Sequence, residues 1–230
     1  MTIVGIHQPL YLPWIGFFKK IISSDIFVIY DDVQFERKGW QNRNLIYGSD
    51  GQVLLSVPVK SHLKSKINEV SIENQSKWAK KHKNSILFSY SKSTYFDEMK
   101  EFLEIYDSRY YKLIDLNMEI INFITKKLKI KTKIIFSSSM EISDDSSKRI
   151  LEICKKLNAD TYVTGVTWAR ENLSKREFEN SQIELKFQEL QHPIYRQSHR
   201  KFISNLSVID LLFNEGIKRS REIIDESKII

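Results

Sequence analysis

The chain has 230 residues, 41% hydrophobic and 28% charged, with 36 Lys and Arg against 29 Asp and Glu for a net charge of +7. This profile suits a globular protein with a sizeable core and excludes disordered and fibrous classes, while the positive excess favours anionic partners such as nucleic acid or phosphorylated small molecules. A single cysteine, Cys154, excludes an intrachain disulfide and a cysteine metal cluster; with no signal core and no apolar run near the roughly 20 residues of a membrane span, a cytoplasmic protein is expected.

Residues 2–6 (TIVGI) read as a short buried strand. Residues 14–23 read as a helix, because Trp14, Phe17, Phe18, Ile21 and Ile22 recur at helical spacing. Residues 25–31 (DIFVIYD) are a second apolar run and a second strand, so the chain opens with the βαβ pattern of a parallel sheet. A polar, basic stretch follows, and then NLIYGSDGQVLLSVPV, which predicts a hairpin turning at Gly48–Gly51. A strand is expected at 69–73, and helices at 76–90, 95–106 and 111–129 from apolar residues three and four apart. The α/β alternation then returns: strand TKIIFSS, helix SDDSSKRILEICKKLN with Ser and Asp caps, strands ADTYVTG and IELKFQEL, and helix SNLSVIDLLFNEG stopping at Gly216. Cys154 falls on the apolar stripe of its helix and reads as a small core residue.

The pattern predicts an α/β fold: a mostly parallel, Rossmann-like sheet with an inserted β-hairpin and a helical middle segment. A single domain over 1–230 is expected, with the helical insertion at about 76–129. Open parallel sheets bind ligands beyond the carboxyl ends of their strands. The loops there are HQPLYLP, DDVQFERKGWQNRN, SSS and TGVTWAREN, where polar and aromatic residues concentrate.

Four segments carry a resemblance: IHQPLYLPWIGFFKK, SDIFVIYDDVQFERKGWQNRN, LNADTYVTG, and HPIYRQ with FISNLSVIDLLFNEG. Together they resemble the WbqC-like protein family. The resemblance implies a role in bacterial surface polysaccharide (O-antigen, lipopolysaccharide) biosynthesis. It implies transfer of an acyl or aminoacyl group, glycyl in particular, to the amino group of a nucleotide-linked 4-amino-4,6-dideoxy sugar. The nucleotide would be dTDP or UDP; aminoacyl-tRNA, a thioester and an aminoacyl adenylate are all open as donors. VTWARENL, with Trp168 and Arg170, departs from the family pattern and points to a different acyl group or sugar.

Within that reading His7, at the end of the first strand, is the expected general base that frees the sugar amine; donation to a phosphate and a purely structural bond are the alternatives. Asp32 joins it as a catalytic candidate. Asp31 and Asp32 can hold sugar hydroxyls or form a turn. Arg37 and Arg43 can clamp a diphosphate, Trp40 can stack on a base, and Asn42 and Asn44 supply directional bonds. Gln8, Tyr11 and Trp14 line the first loop; His192, Tyr195 and Gln197 in HPIYRQ are either site residues or a proline turn. No cofactor and no metal site is expected. The chain has no Gly-x-Gly-x-x-Gly, Walker loop, nucleophile elbow or His-Glu-x-x-His, so direct attack by the amine fits better than an acyl-enzyme. The rival is a non-catalytic nucleotide-sugar or nucleic-acid binding module of the same pathway.

Overall fold

The computed structural model describes residues 1–62, 64–143, 148–166, 173–198 and 201–227. The VTWAREN departure, with Trp168 and Arg170, and the cap candidates at 144–147 lie outside them.

Five parallel strands form the main sheet: β1 (Ile3–His7), β2 (Ile26–Ile29), β7 (Lys133–Phe136), β8 (Thr161–Gly165) and β9 (Glu184–Gln188). Their order is β7-β2-β1-β8-β9. From β1 the chain builds outward through β2 to β7, then crosses to the other side for β8 and β9. The direction of building therefore reverses between β1 and β8, which is where α/β sheets open a crevice. The fold is the Rossmann-like α/β class expected from the alternation.

The strands form where they do because their apolar runs are buried on both faces. Phe27 and Ile29 face the larger core with helix α1 (Ile15–Ile22), whereas Val28, Val4 and Ile6 face a second cluster with helix α5 (Arg149–Lys156). Cys154 is buried in that second cluster, and burial pushes its thiol up to about 12, so it packs as a hydrophobe. Each fully buried Phe or Ile contributes about 1.5–3 kcal/mol.

Between β2 and β7 the chain leaves the sheet. Strands β3 (Arg43–Gly48) and β4 (Gly51–Ser56) form the expected hairpin, with Gly48 opposite Gly51. Short strands β5 (Val59–Lys60) and β6 (Ser71–Ile72) pair next. Helices α2 (Trp78–Tyr90), α3 (Phe96–Met99) and α4 (Leu113–Lys127) follow. The helix expected over 95–106 is split: after α3 the chain tightens into a 3-10 helix, Lys100–Asp107. That segment still buries Phe102, Leu103, Ile105 and Tyr106. The sequence reading does not anticipate the short helix α6 (Lys175–Asn180), which contributes Phe178 to the second core. In the last helix, α7 (Val208–Glu226), Gly216 adopts φ 72° and ψ 170° and breaks the helical path, as expected from a glycine stop. A Cβ there would also meet Tyr95 at 2.5 Å.

Among the described residues, no helix is long and apolar enough to cross a membrane.

Candidate functional site

A cleft of about 470 Å³ opens at the carboxyl ends of β1, β2 and β8, across the point where the sheet reverses. Its lining includes Ile6, His7 and Gln8 from β1 and its loop, Tyr30 and Gln34 after β2, and Tyr162, Thr164 and Gly165 from β8. Lys20 reaches it from α1, and Ile150 from α5.

His7 packs edge-on against Phe17, with ring centroids 5.3 Å apart. Its Nδ1 lies 2.8 Å from the Gln8 carbonyl oxygen. A carbonyl can only accept, so Nδ1 carries the proton and Nε2 is left as an acceptor. Burial first, then the nearby Lys20 charge, push the imidazole down to about 3; the Gln8 carbonyl opposes this weakly. His7 is therefore neutral throughout the physiological range.

Lys20 is a site residue that sequence reasoning missed. It follows Lys19 on α1, and both are buried. The Lys19 ammonium donates to the Asp225 carbonyl oxygen at 2.8 Å. Lys20 has no hydrogen-bond or ion-pair partner among the described residues, and burial pulls its ammonium down to about 8. Gly5 lets it lie against β1. A Cβ at that position would meet the Ser24 hydroxyl at 2.4 Å and the Lys20 stem at 3.3 Å.

Asp31 and Asp32 are placed differently from the expectation that they hold a sugar: neither is among the residues lining the cleft. Asp31 accepts from the Ser138 backbone N–H at 3.0 Å, the Ser138 hydroxyl at 2.7 Å and Asn68 Nδ2 at 3.3 Å. The Ser137 hydroxyl sits between the two carboxylates, 3.1 Å from Asp31 and 2.5 Å from Asp32. Asp32 also accepts from Arg149 Nη2 at 2.5 Å. Burial works against its ionisation, but the Ser137 hydroxyl and the Arg149 guanidinium outweigh that and hold its carboxyl below the usual range. The Arg149 guanidinium lies 5.6 Å over the Tyr30 ring, so this pair backs one wall of the cleft. The carboxylates brace the ends of β2 and β7.

Other expected site residues lie outside the cleft lining, several of them bonded within the scaffold. Tyr11 is fully buried, its hydroxyl 2.8 Å from His82 Nδ1 and 2.7 Å from the Tyr106 hydroxyl. Asn44 donates to the carbonyls of Tyr11 and Leu12 at 3.2 and 2.7 Å, and Asn42 to that of Val57 at 2.8 Å. The Asn44 bonds fasten the proline loop to the hairpin, and the Asn42 bond closes the hairpin's open end. Trp14 packs half-buried against the core and bridges to Ser207. Arg43 donates to the carbonyls of Gly39 and Lys38, shaping the loop that carries the exposed Trp40. Arg37 is exposed and reaches the Ser61 carbonyl at 3.4 Å. Gln8 joins the cleft to this loop by accepting from Gln41 Nε2 at 2.6 Å.

HPIYRQ runs along α7 with Tyr195 and Gln197 buried and Ile194 and Arg196 exposed. The Tyr195 hydroxyl and Gln197 Nε2 each donate to Asp210 at 2.8 Å. His192 packs on Tyr195 and Phe202, away from the cleft lining, and burial lowers its pKa. Of the expected residues, the structure brings His7 and Gln8 to the cleft wall and leaves the others outside it.

The model of the WbqC-like protein family matches residues 8–222. The chain is 34% identical over 221 residues to the uncharacterized protein Rv1507c of Mycobacterium tuberculosis (strain ATCC 25618 / H37Rv), covering 94% of this chain and 95% of that one. No solved structure matches it significantly. A family match over most of the chain, together with a relative aligned almost end to end, shows that this chain belongs to the WbqC-like protein family.

Proposed function

We propose that the protein transfers an acyl or aminoacyl group to the amino nitrogen of a nucleotide-linked 4-amino-4,6-dideoxy sugar bound in the cleft between β1 and β8. The observation that carries this reading is His7: a neutral imidazole on the cleft wall, with Nδ1 engaged and Nε2 left to accept. Family membership and the position of the cleft at the sheet's reversal point support it.

A sugar ammonium has no lone pair, and the burial that keeps His7 neutral also disfavours an ammonium in the same cleft. The ligand enters as the free amine, releasing its proton to solvent. Nε2 of His7 then accepts a hydrogen bond from the amine N–H and aims the nitrogen lone pair at the acyl carbon. With a pKa of about 3, His7 orients the nucleophile rather than storing its proton, which changes the general-base role expected from sequence. The C–N bond forms as the bond from the acyl carbon to the donor's oxygen or sulfur breaks, and the proton lost from the nitrogen leaves with that oxygen or sulfur. The phenols of Tyr30 and Tyr162 are kept protonated by burial and are available as donors to the sugar.

The test is incubation with dTDP- and UDP-linked amino sugars and each donor class in turn, with the product read by mass. An acylated sugar nucleotide is expected, and His7→Ala should lower kcat about 10²-fold, the order of a lost positioning contact. The activity of the wild type should show no His7 limb between pH 5 and 8. A sugar nucleotide that raises the melting temperature but is never acylated would favour the binding-module reading.

A further inference from the structure

The other buried lysine among the described residues, Lys19, has an internal oxygen close by. The residue before Lys20 on the same helix, it lies near the Asp225 and Arg221 charges, and its ammonium donates to the Asp225 carbonyl oxygen. Lys20 is 7% exposed, has no acceptor among the described residues, and lines the cleft. Among the described residues of that lining it is the one lysine or arginine. The exposed Glu36 also lines the cleft but makes no ion pair with Lys20, and a buried cation without an internal partner destabilises the fold, so its retention at a ligand-sized opening calls for an anion from outside.

We propose that Lys20 is the anion anchor of the cleft and pairs with a phosphate oxygen of the ligand. Under the function proposed above, on which this choice of anion rests, the group is the diphosphate of the nucleotide sugar. The neighbouring His7 does not compete for this role: its N–H is committed to Gln8, and its remaining nitrogen only accepts. Lys20 therefore supplies the positive donor from α1, and His7 the neutral acceptor from the end of β1. Gly5 gives this arrangement room, since a Cβ there would come within 2.4 Å of the Ser24 hydroxyl and press on the lysine stem at 3.3 Å. An anion beside Lys20 also restores its charge. Binding should take up protons near pH 8, because the ammonium that burial weakens is stabilised again by its partner.

Inorganic pyrophosphate is the probe, titrated into the full chain by calorimetry at pH 8, with Lys20→Met and, as a surface control, Lys175→Met. Lys20→Met replaces an unpartnered buried cation with an apolar chain of similar length, so it should fold, and its melting temperature checks that it does. Wild type and Lys175→Met are expected to bind alike and Lys20→Met about tenfold or more weakly, the order of a lost charge-assisted bond. In protein labelled with 13C at lysine Cε, the Lys20 signal should titrate near pH 8 when empty and at higher pH with pyrophosphate. Equal binding by Lys20→Met, no wild-type binding at 20 mM, or a Lys20 titration indifferent to the anion would each overturn the proposal. The two readings fail separately. An anchor that binds pyrophosphate in a protein that never acylates amino sugars leaves Lys20 standing and removes the reaction. Unimpaired acylation by Lys20→Met does the reverse.

Discussion

The ends of β1 and β2 are adjacent in the sheet, and they treat their polar side chains in opposite ways. At the end of β2, Asp31 and Asp32 are met on every side by Ser137, Ser138, Asn68 and Arg149. At the end of β1, His7 keeps one nitrogen without an internal partner, and Lys20 beside it has none among the described residues. Both places bury charge or potential charge; one satisfies it from within the chain and the other leaves it for a ligand. The number of polar groups therefore does not distinguish scaffold from site here. What distinguishes them is whether those groups already have partners.

The largest expected effect lies on the satisfied side. Asp32→Ala removes a carboxylate partner of the buried Arg149 guanidinium, which also donates to the Ser143 carbonyl oxygen at 3.0 Å, and breaking a buried pair typically costs about 3–5 kcal/mol. Urea melts should show a loss of that size. A change below about 1 kcal/mol would erase the contrast, because it would make the pair no stronger than an exposed one.

On the unsatisfied side the sign reverses. The unfolded Lys20 titrates at 10.5 and the folded one at about 8, so the unfolded chain binds more protons between those values. The penalty is full below pH 8, fades as pH rises and vanishes above 10.5. At pH 7 Lys20→Met should be more stable than wild type by about 3 kcal/mol, and the gap should close toward pH 11. A destabilised Lys20→Met would place Lys20 among the struts.

A smaller effect appears in acid. His7 is held at about 3 and His82 at about 4, both mainly by burial, against 6.5 when unfolded. The folded protein must keep both neutral, so their contribution is full above 6.5 and is lost as pH falls. At pH 5 each accounts for about 2 kcal/mol of lost stability, at about 1.4 kcal/mol per pH unit. His7→Gln should remove one proton's worth of the slope in melting free energy between pH 6.5 and 4. An unchanged slope would mean the imidazole is better solvated than its packing against Phe17 indicates.

How much of this was legible in the sequence follows from which contacts are local. Each parallel strand could be read from its own apolar run, and the cleft's location followed from strand ends and topology alone. The roles of Asp31 and Asp32 could not, because Ser137 and Arg149 lie more than 100 residues away in the chain and arrive only when β7 and α5 pack. Tyr11 read as ligand-binding from its place in the proline loop, and Asn42 and Asn44 from the directional bonds they supply beside Arg43. Their partners are supplied by the fold: proline-loop carbonyls for Asn44, the Val57 carbonyl for Asn42, and the His82 and Tyr106 side chains for Tyr11. Lys20 was hidden by Lys19: two lysines in a row read as a solvated helix face. Its one local trace was Gly5 in an otherwise apolar strand, where a missing side chain marks a close approach.

The smallest effect on stability is expected at Gly165, the glycine of the cleft lining. A Cβ added at Gly5 would meet three side-chain atoms between 2.4 and 3.3 Å away, whereas one added at Gly165 would meet nothing within 4 Å. Gly165 ends β8 and lines the cleft, so the space a methyl group would enter there is open. Gly165→Ala should therefore alter the melting temperature of the empty protein little, within about 0.5 kcal/mol. The same methyl takes up room beside Thr164 that a bound sugar nucleotide would need. The upward shift in melting temperature on adding a dTDP- or UDP-linked amino sugar, which depends on ligand concentration over Kd, should shrink in the variant. If instead Gly165→Ala lowers the stability of the empty protein and leaves the ligand shift intact, the β8 end belongs with Asp31 and Asp32 as scaffold, and the ligand lies nearer to the β2 side of His7.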